Sequence, residues 1–250
     1  MKNILFYLMI SAIFLLSGCA NNEPAEVEIS SDTYVCTQPV IRPNYQSGSF
    51  VGSDNGISEV ISETADRLVL VGDSRTLQLG YYIFEMTVVD NYLVDETTSD
   101  GDSVLGVGGD GYNWLKDHTA EIEAKLTDGC ALVVNMGVNG APYFHSEIAE
   151  WCNKEAKKYK DKGVKVYFMS VNPVNDTLMA EYDYIIRNAD VISFNNAIKK
   201  ELVGVTYLDT YSFIKDDILG EGNGTVDGLH YYPSVYNKIK DYTWKTVKGK

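Results

Sequence analysis

The stretch Leu68-Val69-Leu70-Val71-Gly72-Asp73-Ser74 decides the fold of this chain. Four apolar residues followed by Gly-Asp-Ser predict a buried strand that ends in a turn. A helix-like pattern follows from Thr76 to Met86, so Ser74 is expected at a helix N-terminus. Free backbone N–H groups and the positive end of the helix dipole favour negative charge at such a position.

The pattern of a strand followed by a helix repeats along the rest of the chain. The runs that begin at Ala131 and Val164 are almost continuously apolar, as is typical of strands covered on both faces. Short strands that alternate with helices predict an α/β fold, a three-layer sandwich with a central, mainly parallel sheet. The predicted strands are Leu68–Val71, Ser103–Val107, Ala131–Met136, Val164–Ser170 and Val205–Leu208, and the predicted helices are Thr76–Met86, Tyr112–Leu126, Glu147–Lys162, Val191–Leu202 and Val235–Val247.

An Asp–His pair near the C-terminus complements Ser74. A serine nucleophile needs a base within hydrogen-bonding reach and a third group that orients the base. The segment Asp227-Gly228-Leu229-His230 places an acid three residues before a histidine. Of the other two histidines, His118 is predicted on the polar side of a helix, and His145 has no acid at orienting spacing before it. We therefore expect Ser74, His230 and Asp227 to be the nucleophile, the base and the orienting group of a catalytic site.

Four separated blocks of the chain resemble those of the SGNH (GDSL) hydrolase family, which is named for its Ser, Gly, Asn and His residues. Gly140 stands where the family pattern has Asp. The resemblance covers roughly residues 66–247 and implies a flavodoxin-like SGNH hydrolase fold. The four blocks are Val71-Gly72-Asp73-Ser74, Val107-Gly108-Gly109-Asp110-Gly111, Asn135-Met136-Gly137-Val138-Asn139-Gly140 and Asp227-Gly228-Leu229-His230.

The resemblance assigns the glycine and asparagine blocks to an oxyanion hole. A tetrahedral intermediate needs preorganised hydrogen-bond donors, and the backbone N–H groups of Ser74 and Gly109 and the side-chain amide of Asn139 suit this role. All three residues follow predicted strands, and ligands of such sheets bind at the carboxyl ends of the strands. Taken alone, Gly108-Gly109 is a plain turn between a strand and a helix.

The N-terminus resembles a bacterial lipoprotein signal. The apolar run Ile4–Leu16 is shorter than the roughly 20 residues needed to cross a bilayer, and it suits the core of a signal peptide. It leads into Leu16-Ser17-Gly18-Cys19, which resembles a lipobox and implies a lipid anchor on Cys19. An ordinary secretory signal or an uncleaved anchor is the alternative. The expected organisation is a signal peptide at 1–18, a tether and lead-in segment at 19–60, and a hydrolase domain at 61–250 that is anchored at the extracytoplasmic face of the cell membrane.

Charge and motif content argue against several classes of partner. The formal net charge of −14 over 250 residues disfavours nucleic acid and anionic lipid headgroups. The sequence has no C-x-x-C, H-E-x-x-H or Walker motif, so neither a metal nor a cofactor is expected.

The resemblance implies a serine esterase that hydrolyses short acyl esters, such as acetyl groups on cell-surface or dietary glycans. A glycan O-acyltransferase with the same residues and a non-catalytic glycan-binding lipoprotein are the alternatives. Aromatic residues beside the four blocks could stack on sugar rings or could belong to the core. They are Tyr112, Trp114, Tyr143, Phe144, Tyr231 and Tyr232.

The substitution Cys19→Ala tests the anchor. A chain without the Cys19 thiol cannot carry the lipid, so we expect this variant to leave the membrane fraction when cells are fractionated. A Ser17→Ala variant keeps the cysteine and should stay with the membranes. Retention of Cys19→Ala in the membrane fraction would contradict the lipobox assignment.

Overall fold

The computed structural model describes residues 64–93, 97–182, 184–220 and 223–249. Five parallel strands form its central sheet, so their carboxyl ends all lie at one end of the sheet. From edge to edge they are β4 (Ser103–Gly106), β1 (Leu68–Gly72), β5 (Ala131–Asn135), β6 (Lys165–Met169) and β7 (Thr206–Leu208). The two-residue strands β2 (Val88–Val89) and β3 (Tyr92–Leu93) form a separate antiparallel hairpin.

Helices cover both faces of the sheet. In chain order they are α1 (Ser74–Phe84), α2 (Tyr112–Asp117), α3 (Thr119–Lys125), α4 (His145–Lys158), α5 (Asp176–Glu181), α6 (Asn188–Glu201), α7 (Thr210–Leu219) and α8 (Pro233–Lys248), with 3₁₀ turns at Val138–Gly140 and Lys160–Lys162. Apolar side chains of α1, α7 and α8 pack on one face, and those of α2 to α6 pack on the other. This arrangement confirms the predicted three-layer α/β sandwich.

The strands divide their side chains between two cores. Val69 and Val71 of β1 belong to the core shared with α4, whereas Leu68 and Leu70 belong to the core shared with α8. All four side chains are fully buried. Successive residues of a strand point to opposite faces, so a continuously apolar strand fits a sheet that is covered on both sides.

Some elements differ from the sequence prediction. The prediction of a single helix over Tyr112–Leu126 is wrong, because the helix is interrupted at His118, between α2 and α3. The helix after β1 begins at Ser74, two residues before the predicted start, because the Asp73 carboxylate caps it by accepting the Arg75 N–H at 3.1 Å. The hairpin β2–β3, α5 and α7 are absent from the sequence prediction, and of these β2, β3 and α5 are too short to show a clear periodicity.

The predictions for the N-terminus lie outside the described residues. They are the signal peptide at 1–18, the lipid on Cys19 and the tether at 19–60. In the part of the chain that the structure describes, no helix has both the length and the apolar character needed to cross a membrane.

A buried ion pair fastens the last helix to the amino ends of the strands. Asp102 lies just before β4, and its carboxylate accepts two hydrogen bonds from Lys248 Nζ, at 2.7 and 2.8 Å. The same carboxylate accepts the Leu68 N–H and the Trp244 Nε1–H, each at 2.8 Å. Asp102 is fully buried and Lys248 exposes 5% of its surface, so water screens the pair poorly.

The substitution Lys248→Ala should destabilise the domain strongly. It leaves the Asp102 carboxylate buried without its counter-charge, which typically lowers the free energy of unfolding by about 3–5 kcal/mol. Lys245→Ala removes an exposed lysine from the same helix and should change that free energy by less than about 0.5 kcal/mol. The measurement is chemical denaturation of both variants. Equal unfolding midpoints would show that the Asp102–Lys248 pair does not stabilise the fold.

Candidate active site

The turn between β1 and α1 holds Ser74 at the carboxyl end of an inner strand. Ser74 is the first residue of α1. Only glycine fits at position 72, because a Cβ there would lie 2.1 Å from Thr76 Oγ1 and 2.2 Å from the Asn135 carbonyl oxygen. That carbonyl also accepts the Asp73 N–H at 3.3 Å. Close packing of the turn against the end of β5 therefore fixes the position of the serine.

Ser74, His230 and Asp227 lie together in a hydrogen-bonded chain. Ser74 Oγ is 2.9 Å from His230 Nε2, and His230 Nδ1 is 2.7 Å from Asp227 Oδ2. The second carboxylate oxygen of Asp227 accepts the backbone N–H groups of Leu229 and His230, at 2.9 and 2.7 Å. The structure thus brings together the three residues that the sequence analysis singled out, although they are 156 residues apart at their widest.

The surroundings of Asp227 favour its ionised form. Burial raises the pKa of this carboxyl, but the His230 side chain and the backbone N–H groups of His230 and Leu229 lower it by more. The pKa therefore falls below its ordinary value. An ionised carboxylate can only accept hydrogen bonds, so it selects the histidine tautomer with the proton on Nδ1. The lone pair of His230 Nε2 is then directed to the Ser74 hydroxyl, which donates to it.

Gly109 and Asn139 are also neighbours at this end of the sheet. The Asn139 side-chain amide donates to the carbonyl of Asp110, the residue after Gly109, at 2.6 Å. An amide carries two N–H groups, and this hydrogen bond uses one of them. Gly109 is exposed and has a φ of +75°, a conformation that other residues adopt only with strain. The second N–H of the Asn139 amide and the exposed backbone of Gly109 therefore lie at the same end of the sheet as the turn that carries Ser74.

Arg75 joins the Ser74 turn to the loop that carries His230. The guanidinium is almost fully buried and donates to three backbone carbonyls, those of Leu229 at 3.1 Å, Asn172 at 2.8 Å and Pro173 at 3.3 Å. It also lies over the Tyr231 ring, 4.9 Å from the ring centroid. The sequence gives no sign of this role, because the acceptors are backbone carbonyls that any residue type provides.

Asp73 lies under the same turn and is buried. Burial raises the pKa of its carboxyl above the ordinary value, although the Arg75 charge and the backbone N–H groups of Arg75 and Gly137 oppose that shift. The N–H of Gly137 belongs to the segment that leads to Asn139, so Asp73 connects the serine turn to the asparagine block. The amide of Asn135 adds a buried hydrogen bond to Thr76 Oγ1 at 2.9 Å.

The other two histidines have partners of their own. His118 is not on a solvated helix face as predicted; it is half-buried at the break between α2 and α3, and its ring stacks on Trp114 with centroids 4.6 Å apart. His145 begins α4, and its Nδ1 lies 3.1 Å from Glu201 Oε1 on α6. Among the residues that the structure describes, no three His, Cys, Asp or Glu side chains are grouped so that they could hold a metal ion.

The six aromatic residues predicted beside the site differ in burial, and Tyr112 is half-buried. Trp114 and Tyr231 are buried, and the Tyr231 hydroxyl donates to the Pro173 carbonyl at 2.6 Å, so these two belong to the core. Tyr143, Phe144 and Tyr232 are exposed.

Comparison with solved structures identifies the class of fold. A GDSL-like lipase from Bacteroides thetaiotaomicron aligns with a TM-score of 0.53 at 16% identity, over 74% of this chain and 88% of the lipase. A catalytic mutant of an acetylxylan esterase from Geobacillus stearothermophilus aligns with a TM-score of 0.50 at 10% identity, over 74% of this chain and 94% of the esterase. An α/β hydrolase from a Lake Arreo metagenome gives 0.52 at 10% identity, over 74% and 96%.

No protein-family model and no curated protein matches the sequence. The chain therefore has the fold of GDSL-like lipases and acetylxylan esterases at low sequence identity. This result confirms the predicted resemblance at the level of the fold.

The substitution Arg75→Met should loosen the loop that carries His230. Methionine fills much of the same space but donates no hydrogen bond, so three buried carbonyls lose a charged donor and the free energy of unfolding should fall by about 2–4 kcal/mol. Hydrogen exchange of the amides of residues 227–231 should become faster in the folded protein. Arg67→Met is the matched control, because Arg67 donates to the Gly101 carbonyl and to Ser103 Oγ near the amino ends of the strands. Equal protection of residues 227–231 in both variants would contradict the role given to Arg75.

Proposed function

We propose that this protein is a serine esterase of the SGNH (GDSL) type that hydrolyses short acyl esters. The observation that carries the proposal is the chain of two hydrogen bonds from Asp227 through His230 to Ser74, at 2.7 and 2.9 Å. A serine, a neutral histidine base and an ionised carboxylate in this order are the parts of a nucleophilic triad.

The mechanism has two steps that share one base. Ser74 Oγ attacks the ester carbonyl carbon while His230 Nε2 takes the hydroxyl proton, and Asp227 stabilises the imidazolium that forms. The C–O bond to the alcohol breaks, and the alcohol leaves with the proton from His230. Water then attacks the acyl-enzyme with His230 again as the base, which releases the carboxylic acid and restores Ser74.

The oxyanion of each tetrahedral intermediate needs donors that are already in place. The backbone N–H groups of Ser74 and Gly109 and the Asn139 side-chain amide are our candidates for that role. One such donor typically lowers the barrier by about 3–4 kcal/mol. The position of Ser74 at the N-terminus of α1 adds the positive end of the helix dipole.

Two observations support an acyl group on a sugar as the substrate. One of the similar solved structures is an acetylxylan esterase, and exposed aromatic side chains lie next to the asparagine block. We further propose that Cys19 carries a lipid that holds the enzyme at the extracytoplasmic face of the bacterial membrane. The lipobox-like Leu16-Ser17-Gly18-Cys19 supports this location.

Steady-state hydrolysis of an aryl acetate tests the triad. We expect Ser74→Ala and His230→Ala each to lower kcat by about 10⁴- to 10⁶-fold, and Asp227→Asn to lower it by about 10⁴-fold because the wrong histidine tautomer results. His118→Ala should leave the kcat of the folded protein near that of the wild type, since His118 contacts Trp114 and no residue of the triad. Loss of turnover in His118→Ala with normal turnover in His230→Ala would refute the proposed triad.

A further inference from the structure

Three aromatic residues closely follow the Gly109 and Asn139 segments in the sequence. Tyr143 exposes 72% of its surface and Phe144 exposes 45%. The Phe144 ring stacks on the Tyr112 ring with centroids 6.3 Å apart and an interplanar angle of 19°. We call Tyr112, Tyr143 and Phe144 the aromatic platform.

The platform adjoins the proposed oxyanion donors on both sides. Tyr112 begins α2 immediately after the Gly109–Gly111 block, and Phe144 lies five residues after Asn139. The two segments are in contact, because a Cβ on Gly111 would lie 3.9 Å from Asn139 Cβ and the Asn139 amide donates to the Asp110 carbonyl. The Tyr112 and Phe144 rings therefore lie next to the segments that carry the proposed donors.

The backbone at Phe144 is held in an unfavourable conformation. Its φ is +60°, in the left-handed region that a bulky aromatic residue rarely adopts. Such strain persists only where the surrounding structure enforces it, and it is common at ligand sites. Here it accompanies a large apolar side chain that stays half in solvent, so burial of the ring does not explain it.

Gly140 makes room for the Phe144 ring. A Cβ at position 140 would lie 3.0 Å from Phe144 Cδ2, so a larger residue would require the ring to shift by about a few tenths of an ångström. This is the position where the SGNH pattern has Asp. The departure from that pattern and the placement of Phe144 thus belong to one local arrangement next to Asn139.

We propose that the aromatic platform binds the sugar ring whose acyl group is cleaved at Ser74, so that the substrates are acylated pyranosides. This inference rests on the proposed esterase function. The apolar C–H face of a pyranose can lie on exposed aromatic rings while its hydroxyl groups stay in water. If the platform bound a long acyl chain instead, an enclosed apolar channel would be expected, and rings exposed by 72% and 45% form an open surface. The formal net charge of −14 disfavours an anionic alcohol.

The test compares three kinds of acetate ester as substrates of the full-length protein. They are peracetylated methyl pyranosides of xylose and glucose, glyceryl triacetate, which has no ring, and phenyl acetate, which has a flat aromatic alcohol. We expect the double variant Tyr143→Ala/Phe144→Ala to lower kcat/KM on the pyranosides about tenfold through a higher KM, as expected for the loss of two stacking contacts. Its kcat/KM on glyceryl triacetate should stay within about twofold of wild type, since the triad and the proposed donors are unchanged.

Phe213→Ala is the matched control. Phe213 exposes 49% of its surface and stacks on Tyr242, like Phe144 on Tyr112, but it lies on α7 against the other face of the sheet. This variant should leave kcat/KM unchanged on all three kinds of ester. An unchanged KM for the pyranosides in the double variant would overturn the sugar site, as would a tenfold loss that appears with phenyl acetate alone.

Failure of the platform and failure of the esterase proposal give different results. If the wild type hydrolyses glyceryl triacetate and Ser74→Ala does not, the esterase proposal stands whatever the KM values for the pyranosides are. The single variant Tyr143→Ala controls for misfolding of the double variant, because a side chain that is 72% exposed contributes little to the core. It should raise the KM for the pyranosides by about threefold.

Discussion

The guanidinium of Arg75 holds together three segments that are far apart in the sequence. Its acceptors on Asn172, Pro173 and Leu229 lie 97, 98 and 154 residues away. A buried charge is unfavourable unless it is hydrogen-bonded or paired, and here three carbonyls accept hydrogen bonds from the guanidinium and the Tyr231 ring makes a cation–π contact with it. Because Arg75 follows Ser74 directly, this contact sets the distance between the Ser74 turn and the loop that carries His230.

The parallel sheet explains why the remaining parts of the site converge. β1, β4 and β5 are hydrogen-bonded neighbours, and the residues that follow them carry Ser74, Gly109 and Asn139. Gly72 permits the turn after β1 to touch the end of β5, where a single Cβ would collide with the Asn135 carbonyl. At the opposite end, the Asp102–Lys248 ion pair anchors the last helix. The fold is therefore held at one end by the ion pair, and the other end carries the candidate active site.

The sequence predicts the strands well, and it singles out three residues that the structure brings together, for physical reasons. A strand that is buried on both faces must be apolar throughout, so β1, β5 and β6 are visible as uninterrupted runs. Ser74, Asp227 and His230 are found because their chemistry requires particular residue types. The break at His118 was not predicted, because neither glycine nor proline marks it. The helix α7 carries a signal that could have been used, since Asp209 caps it by accepting the Ser212 N–H at 3.1 Å.

The contacts of Arg75 and the Phe144 conformation could not be predicted from the sequence. Backbone carbonyl acceptors leave no trace in residue identity, and a positive φ at a phenylalanine contradicts its local preference. Gly140 is the one visible hint, because it departs from the family pattern at the residue that would contact the Phe144 ring. Departures of this kind arise where tertiary contacts override local preferences.

Covalent labelling with a fluorophosphonate tests the central claim most directly. The reagent reacts with an activated serine, so the alignment of His230 with Ser74 should give one adduct per chain. Peptide mass spectrometry should locate that adduct on Ser74, and His230→Ala should label far more slowly. Labelling at another serine, or labelling that persists in Ser74→Ala, would contradict the assignment of Ser74 as the nucleophile.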